Sequence, residues 1–287
     1  MQHAIEIRDI CKRYPNFSLQ NVSFNVPSGS IVGFVGENGA GKTTTIKAIL
    51  GINKLDSGSI RLLGQDIADA GAASRADVGV VFDESAFHDW LRADQVASVL
   101  KNIYPTWDAA YFAQLMQRFQ LPQDKKTDIK SYSRGMKMKL SLAAALAHRP
   151  KLLVLDEATS GLDPIVRDEI LDMFLDFIQD EEHSILFSSH ITSDIEKAAD
   201  YLVFIHEGQI VLNAEKDLLL EQYGVLRCTA EAFATVDQTH VKGSRKSGFG
   251  VEALIDNRPD FVPMEGAVVD RASVDDIMLY TIRGRQS

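Results

Sequence analysis

Residues Gly36-Glu37-Asn38-Gly39-Ala40-Gly41-Lys42-Thr43 fit the pattern G-x-x-x-x-G-K-[ST], and no other stretch constrains the chain as tightly. A loop of this composition folds closely around a phosphate chain. Its glycines lack a Cβ and accept positive φ, so the backbone bends sharply and turns many N–H donors toward one anion. Residues 43–50 read as the helix that follows, whose free N–H groups and dipole face the same anion. Lys42 adds a mobile cation for β- and γ-phosphates, and the Thr43 hydroxyl suits Mg²⁺. Ser30-Ile31-Val32-Gly33-Phe34-Val35 is a short apolar run just upstream. Strand, loop and helix in that order is the context the pattern requires.

The chain has 287 residues, room for one large domain or for one domain with a small appendage. Its apolar runs fall short of the ~20 residues needed to span a membrane. The first residues alternate like a strand and lack the apolar core of a signal peptide. A soluble, intracellular protein is therefore expected. Cys11 and Cys228 are too few for a disulfide framework and are read as free thiols. A formal net charge of −10 argues against nucleic acid as a partner, since neutralising its phosphates takes clustered Lys and Arg.

The N-terminal part reads as β. Ala4-Ile5-Glu6-Ile7-Arg8-Asp9-Ile10 and Leu19-Gln20-Asn21-Val22-Ser23-Phe24-Asn25-Val26 alternate at period two, and Pro27-Ser28-Gly29 makes a turn. Further strands are expected at 59–63 and 78–82. Residues 106–119 carry Tyr111, Phe112, Leu115, Met116 and Phe119 at helical spacing, a stripe that reads as core packing, and Pro122 stops that helix. Another helix is expected over 134–148. Lys151-Leu152-Leu153-Val154-Leu155 reads as a strand buried on both faces, as in a parallel sheet, with 185–188 as its neighbour. Residues 201–212 read as a hairpin turning at Glu207-Gly208. Beyond about residue 225 the pattern changes. Lys242-Gly243-Ser244-Arg245-Lys246-Ser247-Gly248 reads as a basic loop, and 273–280 as a short helix.

A second constellation sits where that buried strand ends, at Asp156-Glu157. The carboxyl end of a strand is where open α/β sheets bind ligands. Asp156 suits a Mg²⁺ contact, and Glu157 is placed to polarise an attacking water, the two needs of phosphoanhydride cleavage. Ser133 opens the helix before the strand, where it caps the helix and offers its hydroxyl to a γ-phosphate. Ser160-Gly161-Leu162-Asp163 follows Glu157. His190, in Ser188-Ser189-His190, is a candidate γ-phosphate sensor at the edge of the sheet.

With these motifs in this order, the chain resembles the nucleotide-binding subunit of an ATP-binding cassette (ABC) transporter over roughly residues 4–220. Gly36 to Thr43 resembles Walker A, with Thr44 beside it. Val154-Leu155-Asp156-Glu157 resembles the end of Walker B with the catalytic glutamate, Ser160 to Asp163 the D-loop, and His190 the switch histidine. Tyr14 stands where the family places an aromatic that stacks on adenine, and Phe17 is a second candidate. There are two departures. The signature Leu-Ser-Gly-Gly-Gln appears as Tyr132-Ser133-Arg134-Gly135-Met136, which keeps Ser133 and Gly135 but puts Arg134 in place of a glycine. The family's Q-loop glutamine is replaced by Asp83, followed by Glu84. Asp83 is expected to reach Mg²⁺ directly or through water. Its bland alternative is a solvated loop residue or a cap.

The resemblance implies an α/β fold: a P-loop NTPase core with a parallel sheet, an antiparallel β subdomain, a helical subdomain and a small C-terminal extension. The expected division is a nucleotide-binding domain at 1–225, its helical subdomain at about 84–150, and an extension at 226–287. It implies an ATPase with ATP and Mg²⁺ that pairs head to tail with itself or a similar chain. Such a subunit sits at the inner face of the cell membrane and energises a separate permease; Phe87, Trp90 and Leu91 are candidate contacts, with simple packing of the helical subdomain as the alternative. The departures, the Tyr104-Pro105-Thr106-Trp107-Asp108 segment and the last helix resemble ABC-2-type exporters. Two rivals are a soluble ABC ATPase not coupled to transport and a catalytically silent cassette.

Overall fold

The computed structural model describes residues 3–69, 75–84, 86–124, 126–248, 250–256, 261 and 265–285. The period-two alternation near the N-terminus becomes β1 (His3–Tyr14) and β2 (Phe17–Pro27), antiparallel partners with Tyr14 opposite Phe17 across a two-residue turn. Ile5, Ile7 and Ile10 of β1 turn inward and are at most 2% exposed. Next come β3 (Ile31–Val35), α1 (Lys42–Ile49), β4 (Ser57–Leu62), β5 (Gln65–Asp66) and β6 (Val78–Val81). The strands β2-β1-β4-β5 form a four-stranded antiparallel sheet.

Three helices follow: α2 (Ala93–Ile103), α3 (Ala109–Arg118) and α4 (Arg134–Leu146). The structure shortens α3 at its start because Asp108 caps it, its carboxylate accepting from the Tyr111 N–H at 2.8 Å. Then β7 (Leu152–Asp156), α5 (Pro164–Phe177), β8 (Ser184–Ser189), α6 (Thr192–Ala198), β9 (Tyr201–His206) and β10 (Gln209–Glu215) complete a six-stranded sheet. Its order is β10-β9-β3-β8-β7-β6, parallel throughout except for β10.

The side chains of this sheet divide between two cores at period two. Val32, Phe34, Val154, Leu186, Val203 and Ile205 face the antiparallel sheet and α1. Ile31, Val35, Leu153, Leu155, Phe187 and Phe204 face the helices α3 to α6. Strands wrapped on both sides must be apolar at every position, which is why β7 reads Leu-Leu-Val-Leu without a polar break. The expected architecture is observed: a parallel-sheet core, an antiparallel β layer and a helical layer.

The chain ends with α7 (Lys216–Gln222), β11 (Gly224–Cys228), α8 (Ala230–Phe233), β12 (Val241–Ser247), β13 (Gly250–Ile255), β14 (Val268–Arg271) and α9 (Val274–Arg285). The last four strands form a sheet of order β12-β13-β11-β14. One expectation is corrected here: the basic stretch 242–248 is not a loop, since most of it is β12. Two of its charges pair with carboxylates on β13 and just past its end. Arg245 Nε donates to Glu252 Oε2 of β13 at 2.7 Å, and Lys242 pairs with Asp256. A strand held by polar cross-strand pairs lacks the apolar alternation that reveals a strand in sequence. β11 straddles residues 225 and 226: Val225 joins the large helical core and Leu226 a small separate one. The helix α9 docks on α6, where the Glu196 carboxylate accepts from the Val274 N–H at 2.7 Å.

Tyr280 of α9 is 1% exposed and its hydroxyl donates to Glu252 at 3.2 Å. Tyr280→Ala leaves a ring-sized cavity in the main core and removes a donor from Glu252. Urea denaturation followed by circular dichroism should show a loss of about 3–5 kcal/mol.

Candidate nucleotide site

The loop between β3 and α1 is shaped by crowding as much as by dihedral freedom. Gly41 has φ +117, and a Cβ there would stand 2.8 Å from Phe17 Cζ and Leu19 Cδ2. A Cβ on Gly36 would stand 2.4 Å from the Ile205 carbonyl oxygen. Gly39 has φ +85 but open space around it, so only its backbone conformation calls for glycine. Gly41 caps α1 without a side-chain acceptor, which leaves the N–H groups of the first turn turned toward the loop. Asn16, Phe17, Asn38, Gly39, Gly41, Lys42, Thr43, Thr44 and Glu157 line a cavity of about 530 Å³ here.

Lys42 is 5% exposed and folds back into the loop. Its Nζ donates to the Gly36 carbonyl at 2.7 Å and the Glu37 carbonyl at 3.2 Å, and lies 3.1 Å from Glu157 Oε1. The other oxygen of Glu157 shares a hydrogen bond of 2.7 Å with His190 Nδ1. Lysine, glutamate and histidine thus form one chain across the tips of β3, β7 and β8. Glu157 holds φ +54, a conformation unfavourable for a residue with a Cβ. Ser188 of β8 holds it there: its Oγ accepts from the Glu157 N–H at 2.9 Å and donates to Asp156 Oδ1 at 2.7 Å.

Ser188 escaped the sequence reading as a site residue, although a serine late in an apolar buried strand is a visible signal. So did His206 at the end of β9, whose Nδ1 meets Glu37 Oε1 at 2.5 Å and ties the P-loop to the neighbouring strand. Asp194 lies behind this chain. It is 1% exposed, and burial pushes its carboxyl above the usual carboxylate range, opposed by Thr159 and by Arg167, whose Nε is 3.1 Å away.

The other candidates stand elsewhere. Ser133 caps α4, its Oγ accepting from the Met136 N–H at 3.2 Å. A Cβ on Gly135 would stand 3.3 Å from Val166, so glycine lets α4 lie against α5. Ser133 and Gly135 do not line the P-loop cavity. Asp83 does not line it either: it borders a different cavity with Tyr132 and Arg134, and its carboxylate pairs with the Arg134 guanidinium. Tyr14 is 37% exposed beneath the Lys12 ammonium, while Phe17, its cross-strand partner, lines the P-loop cavity. Among the described residues no three His, Cys, Asp or Glu side chains converge as metal ligands, and no helix is long and apolar enough to cross a membrane.

Known proteins resemble this chain in sequence and in fold. A sequence model of the family described as ABC transporter matches residues 19–160. The chain is 33% identical over 220 residues to the ABC transporter ATP-binding protein YtrB of Bacillus subtilis (strain 168), covering 76% of this chain and 74% of that one. It is 35% identical over 217 residues to the lantibiotic transport ATP-binding protein SrtF of Streptococcus pyogenes, covering 74% and 91%. In fold it is similar to an ATP-binding cassette solved as a dimer in a post-hydrolysis state with ADP and Pi, with TM-score 0.66, 18% identity and coverage of 74% and 98%.

Ser188→Ala should strand the Glu157 N–H and remove a donor from the buried Asp156 carboxylate. Chemical denaturation should register a loss of about 1–3 kcal/mol, the usual cost of unpaired buried polar groups. A variant as stable as the parent chain would mean that water replaces the hydroxyl.

Proposed function

The chain belongs to the ABC transporter family as an ATP-binding ATPase subunit, and on that premise we propose how its residues divide the work and what they drive. One observation carries the reading: Glu157 bridges Lys42 of the P-loop and His190 through its two carboxylate oxygens. We assign Glu157 as general base and His190 as the group that orients it and senses the γ-phosphate. When ATP enters, its phosphates meet the amides of Gly36 to Thr43 and the first turn of α1, with Thr44 alongside. Lys42 then exchanges Glu157 for phosphate oxygens, which releases Glu157 toward a water. The water oxygen attacks the γ-phosphorus, its proton passes to Glu157, and the β-phosphate oxygen leaves with the bond electrons.

Mg²⁺ fits the donors present. Thr43 stands in the first turn of α1 and Asp156 is 3% exposed at the end of β7 with its Oδ1 oriented by Ser188. These two residues would hold the ion together with phosphate oxygens, and its charge would neutralise that of the phosphates. The adenine is assigned to the hairpin tip that carries Tyr14 and Phe17.

Ser133 and Gly135 lie outside the P-loop cavity, which supports a head-to-tail pair in which one chain's Ser133 completes the nucleotide site of the other. The dimeric state of the similar solved cassette agrees with this. Closing on ATP and reopening after hydrolysis would move a separate permease. Trp90, 68% exposed and stacked on His88, is assigned with Phe87 and Leu91 to the permease contact at the inner face of the membrane. The resemblance to ABC-2-type exporters supports export, and the relative named for lantibiotic transport supports an antibiotic-like solute. The nucleotide chemistry is assigned to residues 1–225, with 226–287 as an extension fastened to α6.

Glu157→Gln keeps the shape of the side chain but cannot accept the proton. Phosphate release should fall by roughly 10²–10⁴-fold while a fluorescent ATP analogue still binds. Near-normal release would remove Glu157 from the role of base. Lys42→Ala should weaken analogue binding by roughly 10²-fold. Unchanged affinity would sink the P-loop assignment. A transmembrane protein that co-purifies from membranes separates the transporter reading from a soluble ATPase.

A further inference from the structure

Positions 83 and 134, where the chain departs from its family's motifs, meet in space. The carboxylate of Asp83, just past β6, forms an ion pair with the guanidinium of Arg134, the first residue of α4. The same guanidinium lies over Gly161 in the loop after β7, where an added Cβ would stand 3.0 Å from Arg134 Cζ and Nη1. Gly161 holds φ +66, and this backbone conformation is what calls for glycine there. One turn along α4, Lys137 Nζ donates to Asp89 Oδ1 at 2.6 Å. Beside these pairs, the Ile129 N–H donates to the Leu91 carbonyl and the Lys130 N–H to the Asp89 carbonyl, each at 2.8 Å. Asp83, Asp89 and Leu91 are thereby tied to α4 and to the residues just before it.

Each half of the Asp83–Arg134 pair explains the other. An arginine at the first position of a helix puts a cation at the positive end of the helix dipole, which is unfavourable. An aspartate beside it removes that penalty, and a neutral glutamine at position 83 would not. The two substitutions therefore form one electrostatic unit. We infer that Asp83 and Arg134 are positioning residues whose ion pair, with Lys137–Asp89 behind it, sets where Ser133 and the Gly161 loop stand relative to segment 83–91. The inference rests on the proposed role of Ser133 in the nucleotide site. It assigns the Asp83 carboxylate to Arg134 rather than to Mg²⁺. Segment 83–91 also carries Phe87, Trp90 and Leu91, so these ties link the proposed permease contact to the signature serine through named side chains.

The test compares the full chain with Asp83→Asn, Arg134→Gln, the double variant and the charge swap Asp83→Arg with Arg134→Asp. Three quantities are read: ATP turnover, the Mg²⁺ concentration for half-maximal turnover, and backbone hydrogen exchange across residues 129–138. Both side chains are about half exposed, 46% and 52%, so each single variant should lower kcat by about two- to fivefold. The double variant should fall no further than the weaker single, and the swap should recover. Amides of residues 133–137 should exchange faster in the singles and return toward the parent rate in the swap, with the Mg²⁺ requirement unchanged throughout. Additive losses, or unchanged exchange in the singles, would overturn the inference. A raised Mg²⁺ requirement confined to Asp83→Asn would return Asp83 to the metal. Failure of the parent chain to turn over ATP would strike at the ATPase reading instead, and the exchange measurement would still report on the ion pair.

Discussion

Burial of a parallel sheet on both faces is the constraint from which the rest of this molecule follows. The apolar side chains of β3, β7, β8 and β9 alternate between a core under the antiparallel sheet and a core under the helices. Nothing polar is tolerated along most of their length, so chemistry is confined to the strand ends. The P-loop leaves β3, Asp156 and Glu157 stand at the end of β7, Ser188 and Ser189 close β8 before His190, and His206 closes β9. Because these strands are parallel, all of those ends lie along one edge. Residues more than a hundred positions apart in the chain become neighbours without any of them being placed individually.

At that edge the polar groups answer one another. A buried lysine needs a counter-charge or acceptors, and Lys42 finds both, in two P-loop carbonyls and in Glu157. Glu157 in turn needs its unfavourable backbone held, and Ser188 does so while also orienting Asp156. The arrangement is self-satisfied, with Glu157, the proposed base, occupied by the same lysine that phosphates would claim. On the proposed assignment, binding a polyanion and freeing Glu157 are one event, because Lys42 cannot serve both partners at full strength.

The same logic of mutual satisfaction applies to the pair at positions 83 and 134. A cation at a helix start is out of place alone, and the aspartate past β6 offsets it. Together they tie the segment that follows β6 to the start of α4, and the guanidinium fills the space over Gly161. Two departures from a family pattern that look like separate losses along the sequence are one contact in the fold.

What the sequence determined by itself was local or periodic. The spacing of Gly36, Gly41, Lys42 and Thr43 specified the phosphate loop, because each residue type there answers a backbone or charge requirement within a few positions. Period-two alternation specified β1 and β2, and the unbroken apolar run specified β7 as a strand covered on both sides. Asp156 and Glu157 were legible as candidates because they end such a run, and His190 because it stands two serines past another. Tertiary structure alone decided which distant groups meet. It put Glu157 between Lys42 and His190, made Ser188 the support of the Glu157 backbone and of the Asp156 carboxylate, set Phe17 rather than Tyr14 against the P-loop cavity, and paired Asp83 with Arg134. It also made 242–247 a strand, since the stabilising partners Glu252 and Asp256 belong to another strand and the residue just past it. Short-range patterns carry backbone preference and burial, whereas long-range pairing depends on which strand ends the sheet order brings side by side, and no local pattern encodes that order.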